Sequence, residues 1–284
     1  MKHIQFFLTF IAVLILTAGP VDAGTGIPRR VVSLSPIVTE TIFLLGAEDL
    51  LVADTTYCST PEAAKKKEKI GTVTQMNIEK ILSLRPDLVI SGSLSPADQL
   101  RTLEHNSIEV FRIQSPKTFS GICDLTLGIG RKLGKEEAAR KITARVRQEV
   151  EDLQAVIQDL PKPKIFFQLG ANPLHAVSQA SFMDEYIRFS RAVNIMGNDT
   201  SAICSLERVV AENPDLILIA LMGTSQKAAE AEKEKWAALK NLKAAKQNRI
   251  VVANPEMICS PTPASFVSGL KYLLPLIHPE MENP

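Results

Sequence analysis

One pattern of apolar and polar positions, a short helix followed by a strand, occurs twice in the chain. The first copy reads NIEKILSLRPDLVI at 77–90, and the second reads SLERVVAENPDLILI at 205–219. Each copy opens with Asn or Ser, which are favoured helix N-caps, and a Pro-Asp pair then ends the helical spacing. The continuous apolar run that follows is typical of a strand covered on both faces of a parallel sheet. The repeat therefore predicts two similar α/β halves.

The flanking segments extend this pattern into two sets of alternating strands and helices. In the first half we predict strands at 30–34, 51–54 and 109–113, and helices at 39–45 and 98–105. In the second half we predict strands at 164–169 and 249–253, helices at 182–193 and 226–245, and a last helix after Pro263. Loops at 57–61 and 170–181 follow strand ends, which is where ligands bind in open α/β sheets.

Between the halves, residues 135–160 contain neither Gly nor Pro and repeat apolar residues at helical spacing. At about 1.5 Å per residue, a helix over 134–160 would span about 40 Å, which is longer than one small lobe requires. The sequence therefore predicts an N-terminal lobe at 24–133, a rigid connecting helix at 134–160 and a C-terminal lobe at 161–284. A ligand cleft between the two lobes is the expected functional site.

The first residues have the pattern of a secretory signal. Lys2 and His3 precede an apolar run at 4–16, and Ala23 ends a cleavage site of small residues. We expect cleavage after Ala23, so that residues 1–23 are removed and the mature protein is exported to the periplasm. The run is shorter than the roughly 20 residues that a membrane span needs, and no cysteine stands at the cleavage site for lipid attachment.

The composition excludes some functions and leaves the state of the cysteines open. A formal net charge of +1 over 284 residues provides no basic surface for nucleic acid. The 45% of hydrophobic residues is enough for two cores. Four cysteines, Cys58, Cys123, Cys204 and Cys259, would lie in an oxidising compartment, where either a Cys204–Cys259 disulfide or free buried thiols fit the sequence.

Five segments of the chain resemble one known family. They are VVSLSPIVTETIFLLG (31–46), TYCSTPEAAKKKEKIG (56–71), QMNIEKILSLRPDLVI (75–90), QLGANPL (168–174) and SLERVVAENPDLILI (205–219). In this order they are similar to the periplasmic substrate-binding proteins of ABC importers for cobalamin and iron complexes, over nearly the whole mature chain. The resemblance implies two Rossmann-like lobes with parallel sheets joined by one long helix. It also implies a monomer that carries a corrinoid or another metal chelate to a dimeric inner-membrane permease, with no catalytic cofactor and no enzymatic activity.

The resemblance also implies how the protein docks. In the family, an acidic residue near the outer tip of each lobe binds an arginine-rich pocket of one permease subunit, and the matching residues are Glu79 and Glu207. Two carboxylates related by an approximate two-fold axis can address two identical subunits, because charge-assisted pairing with Arg fixes orientation as well as affinity. The residues alone allow a simpler interpretation, since the helix macrodipole stabilises an acid in the first turn by about 0.3–1 kcal/mol.

The resemblance places the ligand against Tyr57, at the position of an aromatic residue that lies on the corrinoid in the cobalamin binder of the family. Other aromatic and cationic positions of that binder hold Val73, Ser201 and Ile258 here, so the expected pocket is less aromatic and less cationic. The loop residues expected to orient the ligand are Ser35, Pro36, Asn172, His175 and Asn254. His175 stands in place of a phenylalanine, and its imidazole could ligate cobalt or iron from an axial face or simply contact the ligand.

Other cargoes of the same family fit the sequence less well. Haem binders of the family use a tyrosine just ahead of the first repeat, and 71–76 contains none, although His175 could serve instead. Anionic siderophores would require several Arg or Lys residues, which the loops at 54–61, 170–181 and 254–263 do not contain. A bare metal ion needs three or four converging ligands, and His175 is the one suitable histidine.

An exported two-domain enzyme is the alternative from another functional class. The glycine-rich stretch at 128–134 has the spacing GxGxxxG and follows an apparent helix, so it lacks the context of a dinucleotide-binding loop. The motifs GxSxG and HExxH are absent, which leaves Cys58 or Cys259 as the nucleophiles that such an enzyme could use. His105 and His278 are expected to lie on the surface.

Overall fold

The computed structural model describes residues 26–221, 224–259 and 261–282. Within them the chain forms two α/β lobes, each built on one five-stranded sheet, which confirms the predicted fold class. The predicted signal peptide at 1–23 lies outside the described residues. Over the described ranges, we find no helix with both the length and the apolar character that crossing a membrane requires.

The N-terminal lobe is a parallel sheet with helices on both faces. Its strands are β1 (Val31–Ser33), β2 (Leu51–Asp54), β3 (Glu68–Lys69), β4 (Leu88–Ser91) and β5 (Glu109–Arg112), in the spatial order β3-β2-β1-β4-β5. Its helices are α1 (Pro36–Leu44), α2 (Ile78–Ser83) and α3 (Ala97–His105). Val31 packs in one core and Val32 in the other, because neighbouring residues of a strand point to opposite faces. The central strand β1 is therefore buried on both sides.

Two antiparallel helices, rather than one, connect the lobes. They are α4 (Phe119–Lys132) and α5 (Glu136–Val156). Along α4, Phe119 and Ile122 belong to the C-terminal core, whereas Ile129 belongs to the N-terminal core. Along α5 the order is reversed, with Ala139 in the N-terminal core and Val150 in the C-terminal core. The predicted connecting helix at 134–160 is thus shorter than expected, and it shares its role with α4.

Stacked rings and a carboxylate anchor the amino end of α4 in the C-terminal lobe. The ring of Phe119 stacks on Phe266 with 4.7 Å between centroids, and Phe266 stacks on Tyr186 at 4.4 Å. The backbone N–H of Phe119 donates a hydrogen bond to the buried carboxylate of Glu185. Because the amino end of a helix carries partial positive charge, this contact compensates a carboxylate that has been removed from water.

The C-terminal lobe repeats the layered arrangement with one antiparallel strand. Its strands are β6 (Lys164–Ala171), β7 (Leu174–Ala176), β8 (Val193–Asn194), β9 (Leu216–Ile219) and β10 (Ile250–Val252), in the order β10-β9-β6-β7 with β8 also beside β6. Its helices are α6 (Met183–Phe189), α7 (Leu206–Glu212), α8 (Gln226–Ala238), α9 (Lys243–Lys246), α10 (Pro255–Ile258) and α11 (Pro263–Ile277). Strand β7 folds back antiparallel on β6, within the segment predicted to be the loop 170–181.

Other predicted elements differ from the observed ones for local reasons. Helix α1 begins at Pro36, three residues earlier than predicted, because proline is favoured at the first helical position. The predicted helix at 226–245 is interrupted and forms α8 and α9. His278 is not a surface residue: it is 1% exposed, and its Nε2 donates a hydrogen bond of 2.7 Å to the carbonyl oxygen of Ser190.

All four cysteines are free thiols, so the predicted alternative of a Cys204–Cys259 disulfide is wrong. Cys204 packs on the face of the C-terminal sheet that contains Phe166, whereas Cys259 packs on the face that contains Phe167. Successive residues of β6 point to opposite sides of the sheet, so the sheet itself separates the two sulfur atoms.

The repeated Asp of each Pro-Asp pair has a role beyond the turn that its sequence position indicated. The carboxylate of Asp87 accepts hydrogen bonds from the backbone N–H groups of Arg29 (2.7 Å) and Arg30 (2.9 Å), just before β1. The carboxylate of Asp215 accepts the equivalent bond from Lys164 (2.7 Å), at the start of β6. The repeat therefore joins the end of one helix to the beginning of the central strand in both lobes.

The crossing of α4 over α5 requires a residue without a side chain at Gly130. A Cβ atom at this position would lie 2.6 Å from the Cβ of Ala139, closer than two carbon atoms approach in a folded protein. Glycine at this position thus allows the two connecting helices to approach closely.

We expect Gly130→Ala to lower the free energy of unfolding by about 1–3 kcal/mol, because the added methyl group forces the two helices apart. Urea denaturation followed by circular dichroism measures the change. Gly128→Ala is the matched control on α4: a Cβ there meets only Phe111, at 3.9 Å, so the higher helix propensity of Ala should raise stability by about 1 kcal/mol. Equal effects of the two substitutions would show that close packing of the helices does not limit the fold.

Candidate functional site

A cavity of about 390 Å³ opens at the carboxyl ends of the N-terminal strands, and we call it the N-lobe pocket. Its polar lining consists of Ser35, Tyr57, Thr74, Ser93, Ser95 and Ser115, and its apolar lining includes Val73, Leu94 and Ile113. None of the described residues that line it carries a formal charge. The pocket therefore offers apolar surface and hydroxyl groups to a ligand.

Successive strand ends bring these side chains together. Ser35 follows β1, Tyr57 follows β2, Ser93 and Ser95 follow β4, and Ser115 follows β5. The strands are parallel, so all of these segments emerge at the same edge of the sheet. This edge is where open α/β sheets bind ligands.

A second cavity, of about 780 Å³, lies between the lobes, and we call it the interlobe cavity. Its N-terminal wall includes Glu40, Ser59, Glu62 and Lys65, and its C-terminal wall includes Leu221, Thr224, Glu256 and Cys259. Pro36 and Ile37 line both cavities. The two cavities therefore adjoin each other.

A buried polar cluster supports the loop that carries Tyr57. Lys69 Nζ lies 2.6 Å from Asp54 Oδ1, and it also donates to the carbonyl oxygens of Cys58 (2.9 Å) and Ala64 (3.0 Å). The Asp54 side chain is fully buried, and burial raises the pKa of its carboxyl group, an effect that the hydrogen bond from Lys69 partly offsets. Tyr57 itself is 60% exposed, so the cluster holds the loop while the ring stays free for contact.

The two cysteines considered as nucleophiles are in surroundings that keep them protonated. Burial raises the pKa of the Cys58 thiol, whose sulfur lies 3.2 Å from the hydroxyl groups of Thr39 and Thr55. Burial raises the pKa of Cys259 to about 11. Since the thiolate is the nucleophilic form, the geometry does not support a catalytic cysteine at either position.

One serine of the N-lobe pocket has an unused hydrogen-bonding group. Ser95 Oγ is buried and has no hydrogen-bond partner among the described residues. Ser93 and Ser115, by contrast, bond to each other at 2.8 Å. A buried hydroxyl without a partner costs about 1–3 kcal/mol, so a ligand that bonded to Ser95 would remove this cost.

The repeated acids occupy equivalent exposed positions in the first turns of two short helices, one in each lobe. Glu79 lies in the first turn of α2, which Asn77 caps, and Glu207 lies in the first turn of α7, which Ser205 caps. Neither carboxylate forms an ion pair with another described residue. Hydrogen bonds from its own backbone N–H and from the Ser205 hydroxyl hold the pKa of Glu207 below its usual range. Both carboxylates are therefore available to a partner.

Residues 31–257 match the model of a family described as periplasmic binding protein. The chain belongs to this family. It is 30% identical to a vitamin B12-binding protein of Vibrio vulnificus over 207 residues, which cover 72% of this chain and 73% of the relative. It is also 28% identical to an uncharacterized ABC transporter substrate-binding lipoprotein of Bacillus subtilis. That match extends over 261 residues, which cover 89% of this chain and 81% of the relative.

Solved structures match the fold of this periplasmic binding protein over most of its length. A periplasmic heme binding protein from Pseudomonas aeruginosa superposes with a TM-score of 0.78 at 24% identity, covering 89% of this chain and 94% of that chain. At this identity the similarity establishes the two-lobe fold alone.

The structure brings together only the N-terminal part of the predicted ligand site. In this binding protein Ser35, Pro36 and Tyr57 line the N-lobe pocket. Asn172 and Asn254 line neither of the two cavities. Asn254 instead accepts a hydrogen bond of 2.9 Å from the backbone N–H of Glu256 and so caps α10.

His175 also lies outside the linings of both cavities. Its Nδ1 is 3.0 Å from the carbonyl oxygen of Pro173. A carbonyl oxygen only accepts, so Nδ1 is the donor in this contact. Across the described ranges, no three His, Cys, Asp or Glu side chains converge as a metal site would require.

The three residues that differ from the cobalamin binder of the family lie in different surroundings. Val73 lines the N-lobe pocket, whereas Ser201 is exposed outside both cavities. Ile258 is fully buried in the C-terminal core and so does not take the place of a cleft residue. Only Val73 therefore bears on the shape of the pocket.

The serines after β4 and β5 were missed by the sequence analysis, although a signal for them was present. The stretch SGSLSP at 91–96 directly follows the first predicted strand of the repeat. Small polar residues after a buried strand are typical of a segment that approaches a ligand. The carboxylates of the interlobe cavity carried no comparable signal, because Glu62 and Glu256 are far apart in the chain.

Lys69→Met should lower the free energy of unfolding by about 3–5 kcal/mol, because it leaves the buried Asp54 carboxylate without its cation. Urea denaturation at neutral pH measures this loss, and adding Asp54→Asn should recover much of it. Lys80→Met is the matched control: it breaks the exposed pair with Glu68 and should cost less than about 1 kcal/mol. Losses of the same size in both single variants would contradict the supporting role of Lys69.

Proposed function

We propose that the mature protein binds a corrinoid in the space between its lobes and delivers it to a dimeric ABC permease in the inner membrane. The observation that carries this proposal is the N-lobe pocket, which combines an exposed aromatic ring with hydroxyl groups and has no charged lining among the described residues. The similarity to a vitamin B12-binding protein supports the same cargo.

The pocket suits a large, flat ligand with neutral polar groups at its edge. Tyr57 presents a ring against which a macrocycle can lie, and Leu94, 69% exposed, adds apolar area. Amide groups at the edge of the ligand could bond to the serine hydroxyls, including the unsatisfied Ser95. Asn172 and Asn254 would contribute only if the lobes moved, since neither lines a cavity here.

Haem or a ferric siderophore is the alternative cargo. Haem would gain an axial ligand from His175 only if a lobe movement brought the imidazole into the cleft, since His175 lines neither cavity. The uncharged lining of the N-lobe pocket favours a corrinoid instead, because a siderophore or a porphyrin with carboxylates would find no cation there.

The proposal assigns the protein a transport function without chemistry. The membership in a family of binding proteins and the raised pKa values of the Cys58 and Cys259 thiols support this assignment. Export to the periplasm would follow from the signal sequence at 1–23, and the mature protein would act as a monomer.

Calorimetric titration of the mature protein with cobinamide, cyanocobalamin, haem and a ferric siderophore tests the cargo. Calorimetry is preferable to fluorescence because Trp236, the single tryptophan, is buried and donates to Gln168 at 2.7 Å. We expect one-to-one binding of a corrinoid. Tyr57→Ala should weaken it about tenfold or more, whereas Tyr57→Phe, which keeps the ring, should stay within about threefold.

Two results would argue against the proposal in different ways. Tight binding of haem without corrinoid binding would replace the cargo but keep the transport function. Absence of binding to all four ligands by the folded protein would remove the chelate-binding function altogether.

The permease contact is proposed to use Glu79 and Glu207. Both are exposed, both lie in the first turn of a repeated helix, and neither is paired within the described residues. Two similar acids on two similar lobes fit the two identical subunits of a symmetric partner.

Glu79→Arg combined with Glu207→Arg should abolish permease-dependent uptake of radiolabelled cobalamin, because each substitution places like charges face to face. Ligand affinity, measured by calorimetry, should stay within about twofold of the unmodified protein. Glu137→Arg, at an exposed acid on α5, is the control and should leave uptake intact. A loss of ligand affinity in the double variant would mean that these acids belong to the cleft.

A further inference from the structure

The two cavities differ sharply in charge. The N-lobe pocket has no charged residue in its described lining, whereas the interlobe cavity is lined by Glu40, Glu62 and Glu256 together with Lys65. The described lining of the interlobe cavity therefore contains three carboxylates and one ammonium group. Because Pro36 and Ile37 line both cavities, a ligand that extends from the N-lobe pocket into the interlobe cavity comes near these carboxylates.

The lysine pairs with Glu62 and does not offset the charge of Glu256. Lys65 Nζ is 2.7 Å from Glu62 Oε2, so its charge is already shared with one of the acids. Glu256 is exposed on α10, and among the described residues no cation pairs with it. A carboxylate on a ligand would be repelled by the acids of this cavity, whereas an amide N–H would find acceptors.

We propose that the cleft selects its cargo by charge: it accepts chelates whose edge carries amides or positive charge, and Glu62 and Glu256 exclude chelates whose edge carries carboxylates. This inference rests on the proposed function, since it concerns the same cleft. In the adjoining N-lobe pocket the unsatisfied Ser95 hydroxyl can bond to a ligand amide, and no cation among the described lining residues would balance a ligand carboxylate.

Exclusion of carboxylates would distinguish ligands that are similar in shape. A corrinoid with amide side chains and the same corrinoid with those amides hydrolysed have nearly the same size and the same metal, but the second carries several negative charges. Discrimination between them measures the charge of the cleft and not its shape. Because the acids are exposed, the discrimination should weaken as ionic strength rises.

The test is calorimetric titration of the mature protein with dicyanocobinamide and with dicyanocobyrinic acid, its carboxylate counterpart, at low salt. We expect the unmodified protein to prefer dicyanocobinamide by about tenfold or more, and Glu62→Gln combined with Glu256→Gln to reduce this preference about tenfold. The affinity for dicyanocobinamide should change less than about threefold. Lys65→Gln should instead increase the preference for dicyanocobinamide, because it removes the positive charge from the lining of the same cavity.

Glu137→Gln, an exposed acid on α5 outside both cavity linings, is the matched control and should leave the preference unchanged. Equal binding of both probes by the unmodified protein, or an unchanged preference in the double variant, would overturn charge selection while corrinoid binding stands. Binding of neither probe by the folded protein would overturn the proposed function as well.

Discussion

The close contact of α4 with α5 is the constraint on which the two-lobe structure depends. Each helix places apolar side chains in both cores, so the lobes share one continuous connection of buried residues instead of a flexible linker. Gly130 permits the contact at one end, and the stacked rings of Phe119 and Phe266 hold the other. Bending this connection would break helical hydrogen bonds and separate packed rings, so we expect small movements between the lobes.

The repeat at 77–90 and 205–219 predicted much of the fold, because its pattern is local. Helix caps, the interrupting proline and the apolar strand are each encoded within a few residues. The missed features depend on contacts between distant segments. The hydrogen bonds of Asp87 to the start of β1 join residues far apart in the sequence, and the burial of His278 depends on Ser190. From the sequence alone, Asp87 is interpreted as a turn residue and His278 as an exposed residue near the C-terminus.

The same distinction separates the predicted from the unpredicted parts of the candidate site. Tyr57 and Ser35 follow strand ends that the hydrophobic pattern identified, and both line the N-lobe pocket. His175 was placed near the ligand by resemblance, but β7 pairs with β6 and holds it away from the linings of both cavities. The carboxylates of the interlobe cavity could not be predicted to converge, because Glu40 lies on α1 and Glu62 on a short 3-10 helix of one lobe, whereas Glu256 lies on α10 of the other.

The shared helical connection has a consequence for the use of this protein as a sensor. Optical sensors built from two-lobe binding proteins commonly convert a change in the distance between lobes into a signal. Here the lobes are joined through buried rings and packed helices, so a pair of dyes on the two lobes would report little. A single environment-sensitive dye on the loop at 57–61, beside the exposed ring of Tyr57, would respond to cargo directly. In this protein a dye that reports cargo binding should therefore be attached to the wall of the cleft.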